Sequence, residues 1–257
     1  GTGPARDIGI VEAGNDCDHV ILLDAHMNFP STFDWAKRLT DRCVSLKNEA
    51  VVGAGSCDID HKTYQMGVKG NHGLSFGTTI KSMTYGRETE KDEVKHRAPN
   101  HIFESKWRPR YGSLPGLTQS VLGACYCFSR DWYMDDLRRP WQGMEHWGTL
   151  EQSLTIPNWL AGGCCYVEPI PIGHLYRQGN QVPYKQDNAM RWYNKFRLLD
   201  ILPMEEKLRE KMRNHLMKNP EVMHRFEDIK AAVQRNKPVN DALKAYYAEV
   251  FEETVES

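Results

Sequence analysis

The sequence predicts an α/β fold in which a mixed sheet is flanked by helices, and three observations support this. Short apolar runs with the length of buried strands cover residues 20–23, 51–57, 122–129 and 166–172. An amphipathic segment over residues 33–48 has the apolar stripe of a helix that packs on such a sheet. Polar residues that suit a ligand site follow the first and last of the four runs, where open α/β sheets bind ligands.

The first strand leads into a candidate metal site. Asp24 and His26 follow residues 20–23 directly, and residues two apart on an extended chain point to the same side. One carboxylate and one imidazole suit Mn²⁺, while Zn²⁺, Co²⁺ and Mg²⁺ stay open. A strand that simply ends in polar loop residues has the same short pattern, so this motif needs support from the rest of the chain.

The chain begins with a glycine-rich turn and a predicted helix over residues 6–13. A helix N-terminus with an arginine beside it favours a diphosphate, which makes Arg6 a candidate donor-binding residue. The alternative is an ordinary surface arginine on the first turn of a helix.

A polar, glycine-containing insertion is predicted over residues 58–106, between the second and third strands. Long irregular segments beside a catalytic sheet often carry substrate recognition. Residues 106–111 mix cations with aromatic rings, a composition that can stack bases, stack sugar rings or form an ordinary amphipathic turn.

In the second half of the chain, a short helix is predicted to begin at residues 131–133. Composition changes at Pro203, so we predict two parts: a core over residues 1–202 and a helical appendage over 203–257. Prolines at 220 and 238 are predicted to separate the helices of this appendage.

Four segments, taken in order, resemble the polypeptide N-acetylgalactosaminyltransferases, which belong to the GT-A fold glycosyltransferase family 2 group. They are residues 1–13, the D-x-H at residues 24–26, the segment 144–163 with its Trp and Gly-Gly, and the strand that leads to G-H-L-Y-R at 173–177. The resemblance implies a GT-A, Rossmann-like sheet and transfer of a sugar from a UDP-sugar with retention of configuration.

The resemblance also implies roles for individual residues. Asp24, His26 and His174 would hold Mn²⁺ or another divalent cation. Arg6, Asp24 and Arg177 would bind the sugar nucleotide, and Arg177 would also act on the leaving diphosphate. Trp147 and Glu151 would serve the acceptor or the sugar.

The sequence departs from the family pattern in two ways. The family has its glutamate three residues after the Trp, where this chain has Leu150, so Glu151 fits only with a shift of one residue. Glu145 is the reserve candidate. The strands and helices that precede residue 1 in the family are missing here, so the chain is a fragment, is completed by a partner chain or a homo-oligomer, or has a rebuilt fold.

Composition limits the remaining function classes. With 33 basic and 34 acidic residues, the formal net charge of −1 predicts no global attraction to nucleic acid or membranes. No apolar run approaches the length of a membrane span. The seven cysteines lack zinc-site spacing, and we interpret them as reduced thiols of a cytoplasmic protein rather than as disulfides.

The acceptor remains open at this point, with hydroxymethylated pyrimidines in DNA, Ser or Thr of proteins, and glycans or small molecules as the alternatives. A non-catalytic binding or scaffolding subunit is the rival hypothesis from another class. A metal-dependent hydrolase would share the Asp and His ligands but would not account for the segment at 173–177.

Overall fold

The structure of the chain is a computed structural model that describes residues 2–31, 34–60, 62–67, 74–80, 102–108, 114–121, 123–176 and 187–251. The strands are β1 His19–Leu23, β2 Met27–Asn28, β3 Ala50–Asp58, β4 Thr78–Ile80, β5 Ser105–Trp107, β6 Gly116–Thr118, β7 Cys125–Ser129 and β8 Cys164–His174. The helices are α1 Thr2–Glu12, α2 Trp35–Ser45, α3 Leu150–Leu160, α4 Asn188–Ile201, α5 Glu206–Met217, α6 Pro220–His224 and α7 Phe226–Val250, with a π-helical turn at Trp132–Asp136.

The central sheet is mixed, which confirms the predicted fold class. Its strand order is β1-β7-β3-β8-β2, and β6 pairs with the first half of β8. β3 and β8 run parallel, from Ala50 opposite Cys164 to Asp58 opposite His174, with a register shift after Ala54. The other pairs in this sheet are antiparallel. The parallel pairing carries His174 to the end of the sheet at which β1 also ends.

Helices cover both faces of the sheet because successive side chains of β3 point to opposite sides. Val52 and Ala54 pack in one cluster with Leu39 and Cys43 of α2. Val51 packs in a second cluster that includes residues of α1, α3, β7 and the π-helical turn, among them Ile10, Tyr126, Phe128, Trp132, Leu150 and Leu154. The sheet is therefore the middle layer of three.

The helices α4 to α7 surround a third cluster, which also takes in Ile102 and Phe103. The predicted break at Pro238 is wrong, because α7 continues through this residue. Pro238 removes one backbone donor on an exposed side of the helix. Ala232 before it and Leu243 after it stay buried in the same cluster, so packing outweighs the local cost.

Only parts of the predicted insertion 58–106 belong to the described residues, and they include the antiparallel pair β4–β5. Residues 61, 68–73 and 81–101 lie outside the described ranges. In the described part of the chain, no strand pairs with the outer edge of β1. An open, mostly apolar groove of about 470 Å³ runs between this edge and α1.

Two sequence-based expectations about composition can be compared with the structure. No disulfide joins any of the seven cysteines, all of which lie in the described ranges. Among the helices of the described residues, none has the length and hydrophobicity that a membrane span requires.

Candidate functional site

Two strand ends and one short ladder bring Asp24, His26 and His174 together. Asp24 follows β1, and its backbone N–H donates to the carbonyl of Ala124 (3.0 Å). His26 precedes β2, whose Met27 pairs with His174 at the end of β8. The N–H of Leu175 donates to the carbonyl of His26 (3.1 Å), which extends this antiparallel pairing past the two histidines.

The three side chains form a compact set of possible metal ligands. One donor atom from each lies within 4.8 Å of the others. His174 Nε2 is 3.3 Å from Asp24 Oδ2, and the two imidazole centroids are 4.7 Å apart. Both ring nitrogens of His174 are buried, and neither makes a hydrogen bond within the described part of the chain.

This donor set fits a divalent cation. A buried nitrogen without a hydrogen bond is costly, and an ion coordinated by it would remove that cost. Two imidazoles and one carboxylate form a mixed nitrogen and oxygen set, which suits Mn²⁺ and does not exclude Zn²⁺ or Co²⁺.

Arg6 lies between the three possible metal ligands on one side and Tyr126 and Glu151 on the other. It donates through Nη1 to the hydroxyl of Tyr126 (2.8 Å) and through Nη2 to Asp24 Oδ1 (3.4 Å), and Nη1 lies 3.9 Å from Glu151 Oε1. Burial acts to lower the pKa of Arg6, but Tyr126, Glu151 and Asp24 raise it above its ordinary value. Arg6 is therefore a permanent cation beside the possible ligands.

Asp7 holds α1, the helix that carries Arg6, in place through a buried ion pair and a hydrogen bond. This buried carboxylate accepts two hydrogen bonds from Arg139 (3.2 and 2.8 Å) and one from the hydroxyl of Tyr133 (2.8 Å). The position of Arg6 thus depends on an ion pair that the sequence did not indicate.

Glu151 is the second residue of α3, and its carboxylate lies against the backbone of Gly123. A Cβ at residue 123 would come within 2.6 Å of Glu151 Oε1, so only glycine leaves this space. Burial raises the pKa of Glu151, and the nearby Arg6 opposes that shift only in part. The reserve candidate Glu145 is engaged elsewhere, since its carboxylate accepts hydrogen bonds from Arg235 and Asn236 of α7.

The loop before α3 presents Trp147 to solvent. His146 and Thr149 have positive φ angles of 50° and 61°, a costly conformation for a β-branched residue such as threonine. Asn194 of α4 holds the loop by donating to the carbonyls of Glu145 (2.7 Å) and Gly148 (3.2 Å). The strained loop fixes an indole that is 41% exposed.

A cleft of about 280 Å³ adjoins Glu151. Two exposed indoles line it, Trp147 and Trp107 of β5. The wall between them includes Glu104, which accepts hydrogen bonds from Arg191 (2.8 Å) and Lys195 (2.7 Å). Trp107 also contacts the ring of Tyr176, which meets His174 edge-on with 4.2 Å between centroids, so ring contacts link the wall of the cleft to one of the three possible ligands.

The structure thus brings six of the seven predicted site residues to one end of the sheet: Arg6, Asp24, His26, Trp147, Glu151 and His174. Arg177 lies outside the described residues. Sequence reasoning missed Tyr126, Glu104, Arg191 and Lys195 as parts of this region. Arg191 and Lys195 stand four residues apart, which puts them on one helix face, but nothing in the sequence linked them to Glu104.

Comparison with known proteins supports the fold. No family model and no curated protein matches this sequence. Among solved structures, a match is the crystal structure of GalNAc-T7 with UDP, GalNAc and Mn²⁺, with a TM-score of 0.57 and 17% sequence identity. The fold is GT-A-like. The match covers 92% of this chain but only 41% of the GalNAc-T7 chain, so this chain spans less than half the length of its structural neighbour.

Proposed function

We propose that this protein is a metal-dependent, retaining glycosyltransferase that moves a sugar from a UDP-sugar to a hydroxyl on a macromolecule. The observation that carries this proposal is the convergence of Asp24, His26 and His174 beside Arg6 within a GT-A-like fold. The neighbour of known structure binds UDP, GalNAc and Mn²⁺, which supports the same ligand classes here. DNA with hydroxymethylated pyrimidines and protein Ser or Thr are the proposed acceptors.

In this proposal Asp24, His26 and His174 hold the cation, which supplies a Lewis acid to the diphosphate when bound. Arg6 adds fixed positive charge where the leaving group becomes negative, and Arg177 has the same proposed role. Trp147 and Glu151 orient the sugar and the acceptor beside them.

The transfer itself exchanges one bond for another. The acceptor oxygen forms a bond to the anomeric carbon as the bond from that carbon to the β-phosphate oxygen breaks. The bonding electrons leave with UDP, and the acceptor proton passes to the departing phosphate oxygen. Such a reaction needs no enzyme nucleophile, so the protein contributes position and charge.

A decisive experiment measures UDP release from UDP-GalNAc with and without Mn²⁺, using wild type, His174→Ala and the control His224→Ala, whose histidine is exposed on α6. We expect Mn²⁺-dependent release by wild type and by the control. Loss of an outer-shell partner costs about 10–100-fold, so loss of a ligand should cost His174→Ala at least about 100-fold. Equal release by all three proteins would refute the metal assignment.

The alternative is a non-catalytic glycosyltransferase-like binding or scaffolding subunit, which the edge of β1 favours, because no strand of the described residues pairs with it. A partner chain or a second copy would then pack against this edge. Under this alternative, wild type binds no UDP in the presence of Mn²⁺ and releases none, whereas the proposed enzyme does both.

A further inference from the structure

Glu104 has a position that ion pairing alone does not explain. Both Arg191 Nη2 and Lys195 Nζ donate to the same carboxylate oxygen, Oε1. No hydrogen bond to Oε2 is found among the described residues, although the side chain lies in the wall of the cleft and is 25% exposed. One oxygen is thus anchored, and no group of the described residues occupies the other, which a donor entering the cleft could reach.

The two cations keep this carboxylate ionised. Burial acts to raise the pKa of Glu104, but Lys195 and Arg191 lower it below its ordinary value. Lys195 is almost fully buried and Arg191 lies over the ring of Trp147, so packing holds both side chains in the wall of the cleft. Among the residues that the structure describes, the charged ones that line the cleft are Glu104, Glu151, Arg191 and Lys195, two acids and two bases whose formal charges sum to zero. This balance gives a phosphate little reason to enter the cleft.

The aromatic residues favour a flat ligand. Trp107 and Trp147 are 44% and 41% exposed, whereas Trp132, Trp141 and Trp192 are at most 9% exposed. An exposed indole offers a stacking surface, and stacking on aromatic side chains is how proteins hold unpaired bases. A carboxylate beside such a surface accepts hydrogen bonds from the exocyclic amino group of cytosine and repels a carbonyl oxygen.

We propose that the cleft receives a pyrimidine base of the acceptor and that Glu104 accepts a hydrogen bond from its exocyclic amino group. This inference rests on the proposed transferase function and names its acceptor class: a single, unstacked cytosine-type base that presents a hydroxyl beside Glu151. Extrusion of a base into a pocket is the general solution for enzymes that act on bases. Glu104 is then a specificity-determining residue, because it distinguishes an amino group from a carbonyl at one ring position.

The test uses two single-stranded oligonucleotides that are otherwise identical, one with 5-hydroxymethylcytosine and one with 5-hydroxymethyluracil. The two bases differ in the amino or carbonyl group at that ring position and in the hydrogen on the neighbouring ring nitrogen, which only the uracil form carries. Binding to the full chain is measured with Mn²⁺ and UDP present. We expect wild type to prefer the cytosine form by roughly 10-fold or more, as good base contacts do. Glu104→Gln should abolish that preference, and the exposed control Glu210→Gln should keep it.

A second variant distinguishes stacking on an indole from recognition of the exocyclic group, and it shows whether a loss of preference is specific to Glu104 or follows from any change in the cleft. Trp107→Ala removes an exposed ring, so we expect it to weaken binding of both oligonucleotides while their ratio stays at the wild-type value. Equal binding of the two oligonucleotides by wild type, or an unchanged ratio in Glu104→Gln, would overturn the inference. Tighter binding of a threonine-containing peptide than of either oligonucleotide would overturn it in favour of a protein acceptor.

The outcome is independent of turnover. Mn²⁺-dependent UDP release from UDP-GalNAc by the control Glu210→Gln should stay within about twofold of wild type, because exposed Glu210 lines neither the cleft nor the set of possible metal ligands. If wild type discriminates between the oligonucleotides but releases no UDP, the proposed transferase function fails while the base-binding inference stands. If wild type releases UDP but binds the two oligonucleotides equally, the base-binding inference fails while the proposed transferase function stands.

Discussion

At the scale of single residues, Arg6 is the link between the two halves of the candidate site. Its guanidinium reaches Asp24 on one side and Glu151 on the other, and it rests on the hydroxyl of Tyr126. The two carboxylates differ in setting, because Asp24 belongs to the possible ligands and Glu151 faces the cleft. The guanidinium of Arg6 can therefore offset negative charge both at the possible metal ligands and at the cleft.

The raised pKa of Glu151 gives a prediction about pH and stability. Because its pKa is higher in the folded chain than in the unfolded chain, its stabilising contribution is complete below the ordinary glutamate value of about 4.3. That contribution is lost as the pH rises through the raised pKa. Glu151→Gln does not titrate, so its unfolding free energy should improve relative to wild type as the pH rises.

Urea denaturation of both proteins between pH 4 and pH 8, in the presence of a chelator, measures this difference. Transfer activity should fall in Glu151→Gln over the same range, which separates the residue's function from its effect on stability. A stability difference that is constant with pH would contradict the assignment of an ionised, desolvated carboxylate.

At the scale of elements, α1 owes its place to one buried ion pair. Asp7 is 5% exposed and accepts hydrogen bonds from Arg139 and Tyr133. Breaking such a pair leaves a buried charge without compensation, so Asp7→Ala should lower the unfolding free energy by about 3 kcal/mol. Denaturant titration checks this value, and UDP release should also decline because Arg6 lies on the same helix.

The matched control is Asp41→Ala, which removes an exposed ion pair with Lys37 on α2. Exposed pairs contribute little, so this variant should unfold like wild type. If Asp7→Ala were as stable as Asp41→Ala, the proposed anchoring of α1 would be wrong.

The elements that the sequence predicted correctly are those whose signal is local. The strand before Asp24 is a run of apolar residues, and the D-x-H spacing places two side chains on the same side of the chain. Pro238 was predicted wrongly because burial on both sides of it, which the local sequence does not reveal, keeps α7 continuous.

The cleft was beyond prediction for a related reason. Glu104 lies in an insertion without a periodic pattern, and its partners Arg191 and Lys195 come from a distant helix. The choice between Glu145 and Glu151 likewise depended on which carboxylate α7 engages, a contact between residues about 90 positions apart.

At the scale of the whole molecule, β1 is an apolar strand beside an open groove, and within the described ranges it lies at the edge of the central sheet. Edges of this kind usually carry a lysine, a proline or a bulge that prevents strand addition, and His19–Leu23 has none of these. This supports the proposal that a second copy or a partner chain covers the edge.

Light scattering on the purified chain should therefore give a mass above that of the 29.6 kDa monomer. Ala13→Lys places a charge in the groove at an exposed position and should shift the equilibrium towards the monomer, whereas Ala242→Lys on the exposed side of α7 should not. A wild-type monomer that unfolds cooperatively would count against completion by a second copy.

The shortness of β2 has a consequence for how an ion would be held. Only Met27 and Asn28 of β2 pair with the end of β8, so the bend that carries His26 is held by a ladder of two residue pairs. Such a ladder opens easily, and a ligand that binds only the closed form must supply the work of closing it. The apparent affinity for the cation is then the affinity of the closed form reduced by the free energy of closure, and a bound cation would in turn stabilise the pairing of β2 with β8.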